Sequence, residues 1–135
     1  MKKLSVICSG ILVLLLTILL FSCSKKDQYN YFLVEVDSIH VGNVLVANTP
    51  FDINFYGTIG DNGCYSFSEF KVSQTGSDIN IEAWGKLNTG SGACPTVMVP
   101  LYGNKIICTI NAAGTYMLKV KQPDNSYLQK EIIIR

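Results

Sequence analysis

FDINFYGTI, residues 51–59, alternates without a break: Phe51, Ile53, Phe55, Gly57 and Ile59 share one face of an extended chain, and Asp52, Asn54, Tyr56 and Thr58 share the other. Successive side chains of a strand point to opposite sides, so a period of two marks a strand with one face in a core and one in water. The pattern recurs in YMLKVK, residues 116–121, where Tyr116, Leu118 and Val120 point inward and Lys119 and Lys121 outward. It recurs again in INIEAWG, residues 79–85, with Ile79, Ile81 and Ala83 inward and Asn80, Glu82 and Trp84 outward.

Outward from these three stretches the chain stays strand-like. YFLVEV (31–36), TVMVPLY (96–102), KIICTI (105–110) and LQKEIIIR (128–135) are rich in β-branched and aromatic residues, which fit a pleated, half-buried surface. GDNG, QTGSD, NTGSGACP, NAAG and QPDNS separate the strands with turn formers. No window sustains an apolar stripe at helical spacing. Turns about every ten residues indicate an all-β sandwich or barrel, and the hairpins and open turns suit a sandwich of seven or eight antiparallel strands. QTGSD and QPDNS each mark a hairpin.

The amino-terminal end has a different composition. Lys2 and Lys3 precede residues 6–21, which are apolar except for Ser9, Gly10 and Thr17, the pattern of an export signal. Leu20-Phe21-Ser22-Cys23 resembles the lipobox of bacterial lipoproteins, with Phe21 where a small residue is common. That resemblance implies a diacylglycerol on the Cys23 thiol, cleavage before Cys23 and acylation of the new amine. An uncleaved membrane anchor is the alternative, but the apolar run is shorter than the roughly 20 residues that span a bilayer. A soluble secreted form is the third. Residues 1–22 are therefore expected to be a lipoprotein signal peptide, 23–30 the lipidated cysteine and a short tether, and 31–135 one domain. Ser24 is not the Asp that resembles an inner-membrane retention signal, which makes the outer membrane the expected address.

Without residues 1–22 the chain carries nine Lys or Arg against ten Asp or Glu, with no basic cluster beyond Lys25-Lys26. That charge balance lacks the footprint of a nucleic-acid binder.

NAAGTYMLKV, residues 111–120, resembles the Gly-x-Tyr-x-Leu-x-Val start of a late strand in immunoglobulin-like domains. Taken with NGCYSFSEFKV, GSDINIEAWG and GACPTVMVPL, the segment from about 60 to 122 resembles small secreted bacterial domains with a cysteine before one hairpin and another after it, and with the lipobox it resembles a small bacterial envelope lipoprotein bearing such a β-sandwich. The resemblance implies a tyrosine corner, in which the hydroxyl of Tyr116 bonds back to an upstream backbone group.

Of five cysteines, Cys8 leaves with the signal and Cys23 takes lipid, so Cys64, Cys94 and Cys108 remain in an oxidising compartment. Three pairings are possible. Cys108 shares a strand face with Ile106 and Ile110 and reads as a small buried hydrophobe. Cys64 and Cys94 flank the hairpin of residues 66–86, whose ends must lie close together, and they are the expected disulfide.

Candidate chemistry is sparse. His40 is the only histidine; Ser38 on the same strand face is too far for a nucleophile–base hydrogen bond, and Asp37 alternates to the other face. A single histidine does not fit a copper or catalytic zinc site. Asp61 with Asn62, and Asp124 with Asn125, have too few oxygens for a calcium loop and read as turn chemistry. GKLNTGSG lacks the order of a phosphate-binding loop. No metal or cofactor is expected, nor is catalysis. Aromatic residues near turns, Trp84, Tyr65 and Tyr102, remain as a candidate surface for a protein or glycan. The chain therefore reads as a lipid-anchored, non-catalytic binding or assembly module of the cell envelope. The alternative is a protease-inhibitor-like sandwich that inserts a loop such as GKLNTGSGACP into a protease cleft.

Overall fold

The computed structural model of the chain describes residues 28–90 and 92–135. The expected signal peptide, Cys23 and residues 24–27 lie outside the described residues. The remainder is a β-sandwich whose described elements are nine strands and no helix: β1 Tyr29–Leu33, β2 Val36–Val41, β3 Phe51–Gly60, β4 Tyr65–Thr75, β5 Asp78–Asn88, β6 Val99–Pro100, β7 Lys105–Cys108, β8 Gly114–Lys121 and β9 Tyr127–Ile134. Strand β1 begins at Tyr29, inside the stretch read as tether.

One sheet holds β4, β5, β1, β8 and β9; the other holds β2, β3, β6 and β7. Both expected hairpins form, as β4–β5 and β8–β9. Gly76, at a φ of 61°, occupies the first central position of the two-residue β4–β5 turn, a backbone region that disfavours side chains. One neighbouring pair departs from a purely antiparallel pattern: β5 and β8 run parallel from Asp78↔Met117 to Ile81↔Val120. Parallel neighbours need a long connection, and here the chain between β5 and β8 supplies β6 and β7 to the opposite sheet.

The alternation in residues 51–59 holds. Ile53, Phe55 and Ile59 are buried, and they meet Ile79, Ile81, Ala83, Leu118, Val120, Ile132 and Ile134 from the other sheet in one core. Phe55 is fully buried, with its ring 4.5 Å from that of Phe70 on β4.

Two details cross between the sheets. The parallel β8 covers β5 only at Asp78–Ile81, while β1 pairs with β5 from Leu33↔Trp84 to Tyr29↔Asn88, and the Val34 amide donates to the Ala83 carbonyl. The chain then passes through Glu35 into β2 of the other sheet. At this junction the side chain of Gln122, only 9% exposed, closes the ladder: its Oε1 accepts from the Val36 amide at 3.0 Å and its Nε2 donates to the Val36 carbonyl at 3.2 Å. A primary amide has the donor and acceptor of a peptide group and can pair as a strand does. A register shift between Val36 and Ser38 follows. Strict alternation places Asp37 on the face of Ile39 and Val41; the bulge corrects this, leaving Asp37 exposed while Val36, Ile39 and Val41 all reach the core. Opposite the bulge lies Gly57, where a Cβ would meet the Glu35 carbonyl oxygen at 2.5 Å.

Cys64 and Cys94 form the expected disulfide across the open end of the β4–β5 hairpin. Its loop is held further by the Gly63 amide donating to the Pro95 carbonyl and the Asn88 amide to the Cys64 carbonyl. Cys108 keeps a free thiol, half-buried on β7.

A loop of 30 residues closed by a disulfide contributes about 3.5 kcal/mol in the chain-entropy account. Cys64→Ser should therefore lower the melting temperature by on the order of 15 °C in a thermal melt, and a variant melting with the parent would show that the cross-link contributes nothing. Gln122→Ala strips two buried backbone groups of their partners and should cost about 2–3 kcal/mol by denaturant titration.

Candidate functional site

The three aromatic residues singled out from the sequence have different surroundings. Tyr65 opens β4 beside the disulfide, and its ring lies against Gly60, where a Cβ would come within 2.1 Å of it. The ring meets Phe32 edge-on, with centroids 5.7 Å apart and planes at 85°. Tyr65 is therefore a packing residue at the margin of the core.

Trp84 does lie on the outer face of the first sheet, as alternation requires, but its surfaces are engaged. Its Nε1 donates to Glu82 Oε2 at 2.9 Å, and Lys71 Nζ stands 4.6 Å from the ring centroid. Glu82 pairs in turn with Lys121 at 3.6 Å. The half-buried indole is the centre of a charged ladder.

Tyr102 is 70% exposed. It sits at the tip of the turn joining β6 and β7, which is anchored on its inner side by fully buried Leu101. The Leu101 amide donates to the Gly57 carbonyl, and both the Asn104 amide and Asn104 Nδ2 donate to the Leu101 carbonyl. Gly103, at a φ of 92°, lets the turn close. Because Leu101 points into the core, the next side chain emerges over the outer face of the second sheet. There it meets Tyr56, on β3 and 36% exposed, with ring centroids 5.6 Å apart and planes inclined by 37°.

Tyr56 was missed as a site residue, although its outward position is explicit in the alternation of residues 51–59. The missing information was that the β6–β7 turn returns to the middle of β3. Around the two rings stand hydrogen-bonding groups: Ser38 opposite Tyr56, His40 opposite Asn54 on the same strand pair, and Lys105 opposite Asn54, its Nζ paired with Asp52 at 2.7 Å. His40 is exposed. Two adjacent rings with amide, hydroxyl and charged neighbours form a flat amphipathic platform that can stack on a ligand and orient it by hydrogen bonds.

A second feature is a cleft of about 520 Å³ where β2 meets the β8–β9 turn. Glu35, Asp37 and Asp124 make it acidic, and Tyr127 contributes a half-exposed ring. Hydrogen bonds from the Ser126 hydroxyl and backbone amide hold the Asp124 carboxyl below its ordinary range. Asp124 is thus the acceptor of its own turn, with Asn125 at a φ of 66° completing it. Asp61 and Asn62 behave likewise: Asn62 Nδ2 donates to Asp61 Oδ1, and Asn62 Oδ1 accepts the Cys64 amide. Among the described residues no group of three or more His, Cys, Asp or Glu side chains could hold a metal ion. Burial pushes the Cys108 thiol up, against a smaller opposing effect of the Thr109 backbone, which disfavours the reactive thiolate.

At the start of β8 the Tyr116 hydroxyl donates to the Ala112 carbonyl, four residues upstream, at 3.1 Å. Gly114 between them has a φ of 155°. No protein-family model, curated protein or solved structure matches the chain.

The two tyrosines make opposite predictions. Tyr102→Ala should change stability by less than about 0.5 kcal/mol, as exposed substitutions do. Tyr65→Ala should cost about 2–3 kcal/mol by removing a ring packed on Gly60 and Phe32. Denaturant titration of both variants checks the division between surface and core.

Proposed function

We propose that this chain is a lipid-anchored, non-catalytic binding module of the bacterial envelope, tethered at Cys23 and most consistent with the outer membrane, and that it engages its protein or glycan ligand through the Tyr56–Tyr102 platform. The observation that carries the reading is the platform itself. Two neighbouring aromatic rings, one of them mostly in water, serve no packing role that the fold requires, whereas Trp84 is engaged by charged neighbours and Tyr65 packs at the margin of the core. Rigid aromatic rings lose little conformational entropy on binding and dominate the energetics of many recognition surfaces.

The proposal extends to the kind of sandwich. Tyr116 bonded to Ala112 supports an immunoglobulin-like kinship through its tyrosine corner; the parallel β5–β8 pair is where the chain departs from that pattern. The protease-inhibitor alternative depends on the loop that carries Cys94. That loop is stiffened by its disulfide, but it lies at the end of the sandwich where β1 begins, next to the proposed tether, which leaves it poorly accessible to a protease cleft.

Two measurements test the reading. Radiolabelled palmitate should enter the parent and not Cys23→Ala, which should accumulate as an unprocessed precursor; equal labelling and processing would refute lipidation there. Binding of the purified protein to a panel of envelope glycans, together with photocrosslinking from position 102 in intact cells, should give a signal at least tenfold weaker in Tyr56→Ala/Tyr102→Ala. A ligand retained by the double variant, or no ligand in either assay, would remove the platform from the proposal.

A further inference from the structure

We infer that the disulfide-bearing end of the sandwich rests on the lipid surface, so that the module is docked on its membrane and not merely leashed to it. The inference builds on the proposed lipidation of Cys23. Only five residues separate Cys23 from Tyr29, the first residue of β1, and six backbone steps span at most roughly 20 Å. Gln28 is itself fixed to the fold, because its carbonyl accepts from both the Thr89 amide at 2.8 Å and Thr89 Oγ1 at 3.0 Å. A thiol carrying diacylglycerol sits at the headgroup level. The end of the sandwich from which β1 starts therefore lies within a headgroup layer or two of the hydrocarbon.

That end has the chemistry of an interfacial surface. Val97 and Met98, just outside β6, are 53% and 67% exposed although both are apolar. Val97 lies beside Gly63, and Tyr29 lines a shallow depression together with Gly63 and Pro95, which makes the patch continuous across the end of both sheets. Lys86 Nζ stands 5.0 Å from the Tyr29 ring centroid, and Tyr31, 61% exposed, follows on the same face. Tyrosine rings at headgroup level, aliphatic side chains below them and a lysine able to reach lipid phosphates form the combination found where proteins meet a bilayer. The loop presenting Val97 and Met98 is held in shape by the disulfide and by the Gly63–Pro95 hydrogen bond, so little ordering is needed on contact.

Depth-dependent quenching tests this on the acylated full-length protein, reconstituted in phosphatidylethanolamine and phosphatidylglycerol vesicles whose acyl chains are partly brominated. In a Trp84→Phe background, Met98→Trp should be quenched at least threefold more strongly than Val44→Trp and should emit further to the blue. Val44, 72% exposed near the opposite end, is a matched control; the eleven-residue β5 between the ends spans roughly 35 Å. Equal, weak quenching at both positions in a protein that floats with the vesicles would overturn docking and leave the anchor standing. Failure of the parent to float would instead refute the anchor, and docking with it.

Discussion

The second edge of β5 has to be covered by two different strands, and most of the architecture follows from that division. Its eleven residues find β4 along one side, but on the other side β8 covers only the first four and β1 the last five. A gap in a buried ladder would leave backbone groups without partners. The Val34 amide reaches the Ala83 carbonyl in that gap, and where the chain then leaves β5 the Gln122 side chain presents to Val36 the donor and acceptor that a continuing strand would have supplied. The chain is then free to turn through Glu35 into the second sheet. The bulge at Val36–Ser38 restores the inward phase of β2, and Gly57 provides the room for the crossing backbone.

Much of this was legible in the residues and some was not, for reasons that differ by element. The period-two stretches around Phe55, Ile81 and Leu118 are local signals and predict burial correctly, because one face of each strand meets the core. The hairpins at Gly76 and Asn125 are equally local. The Cys64–Cys94 pair followed from hairpin geometry, since the ends of an antiparallel pair must meet. The parallel β5–β8 pairing left no trace, because register between residues as far apart in sequence as Asp78 and Met117 is set by the packing of two sheets and not by any short pattern. The phase change between Val36 and Ile39 was visible as two valines and then an isoleucine and a valine out of step, but without the bulge it could not be interpreted, and Asp37 was assigned to the wrong side.

The candidate surface shows the same limit. Alternation correctly sent Tyr56 and Trp84 outward, but it cannot say what else stands on that side. Trp84 found Lys71 and Glu82 as neighbours and Tyr56 found Tyr102, and the second pairing leaves most of the Tyr102 ring in water. Tyr65, adjacent to a turn and therefore a reasonable surface candidate, was drawn inward by the space over Gly60. In the proposed arrangement the chain separates its tasks spatially. One end holds the tether and disulfide, the broad outer face of the second sheet carries the recognition platform, and the interior between them is, among the described residues, apolar apart from Gln122.

The direction of β1 has a mechanical consequence. It runs antiparallel to β5 with its amino end at the edge of the sandwich, so a pull applied through residue 28 acts along the strand and not across it. The hydrogen bonds between β1 and β5 then share the load and must yield together, as in a lap joint, where a pull across the ladder would open them one by one. Behind them the Val34–Ala83 bond and the Gln122 clamp on Val36 are next to bear the force. A body held by this end against flow, or against a partner anchored elsewhere, resists extraction through the five-residue β1, which passes the load directly to β5.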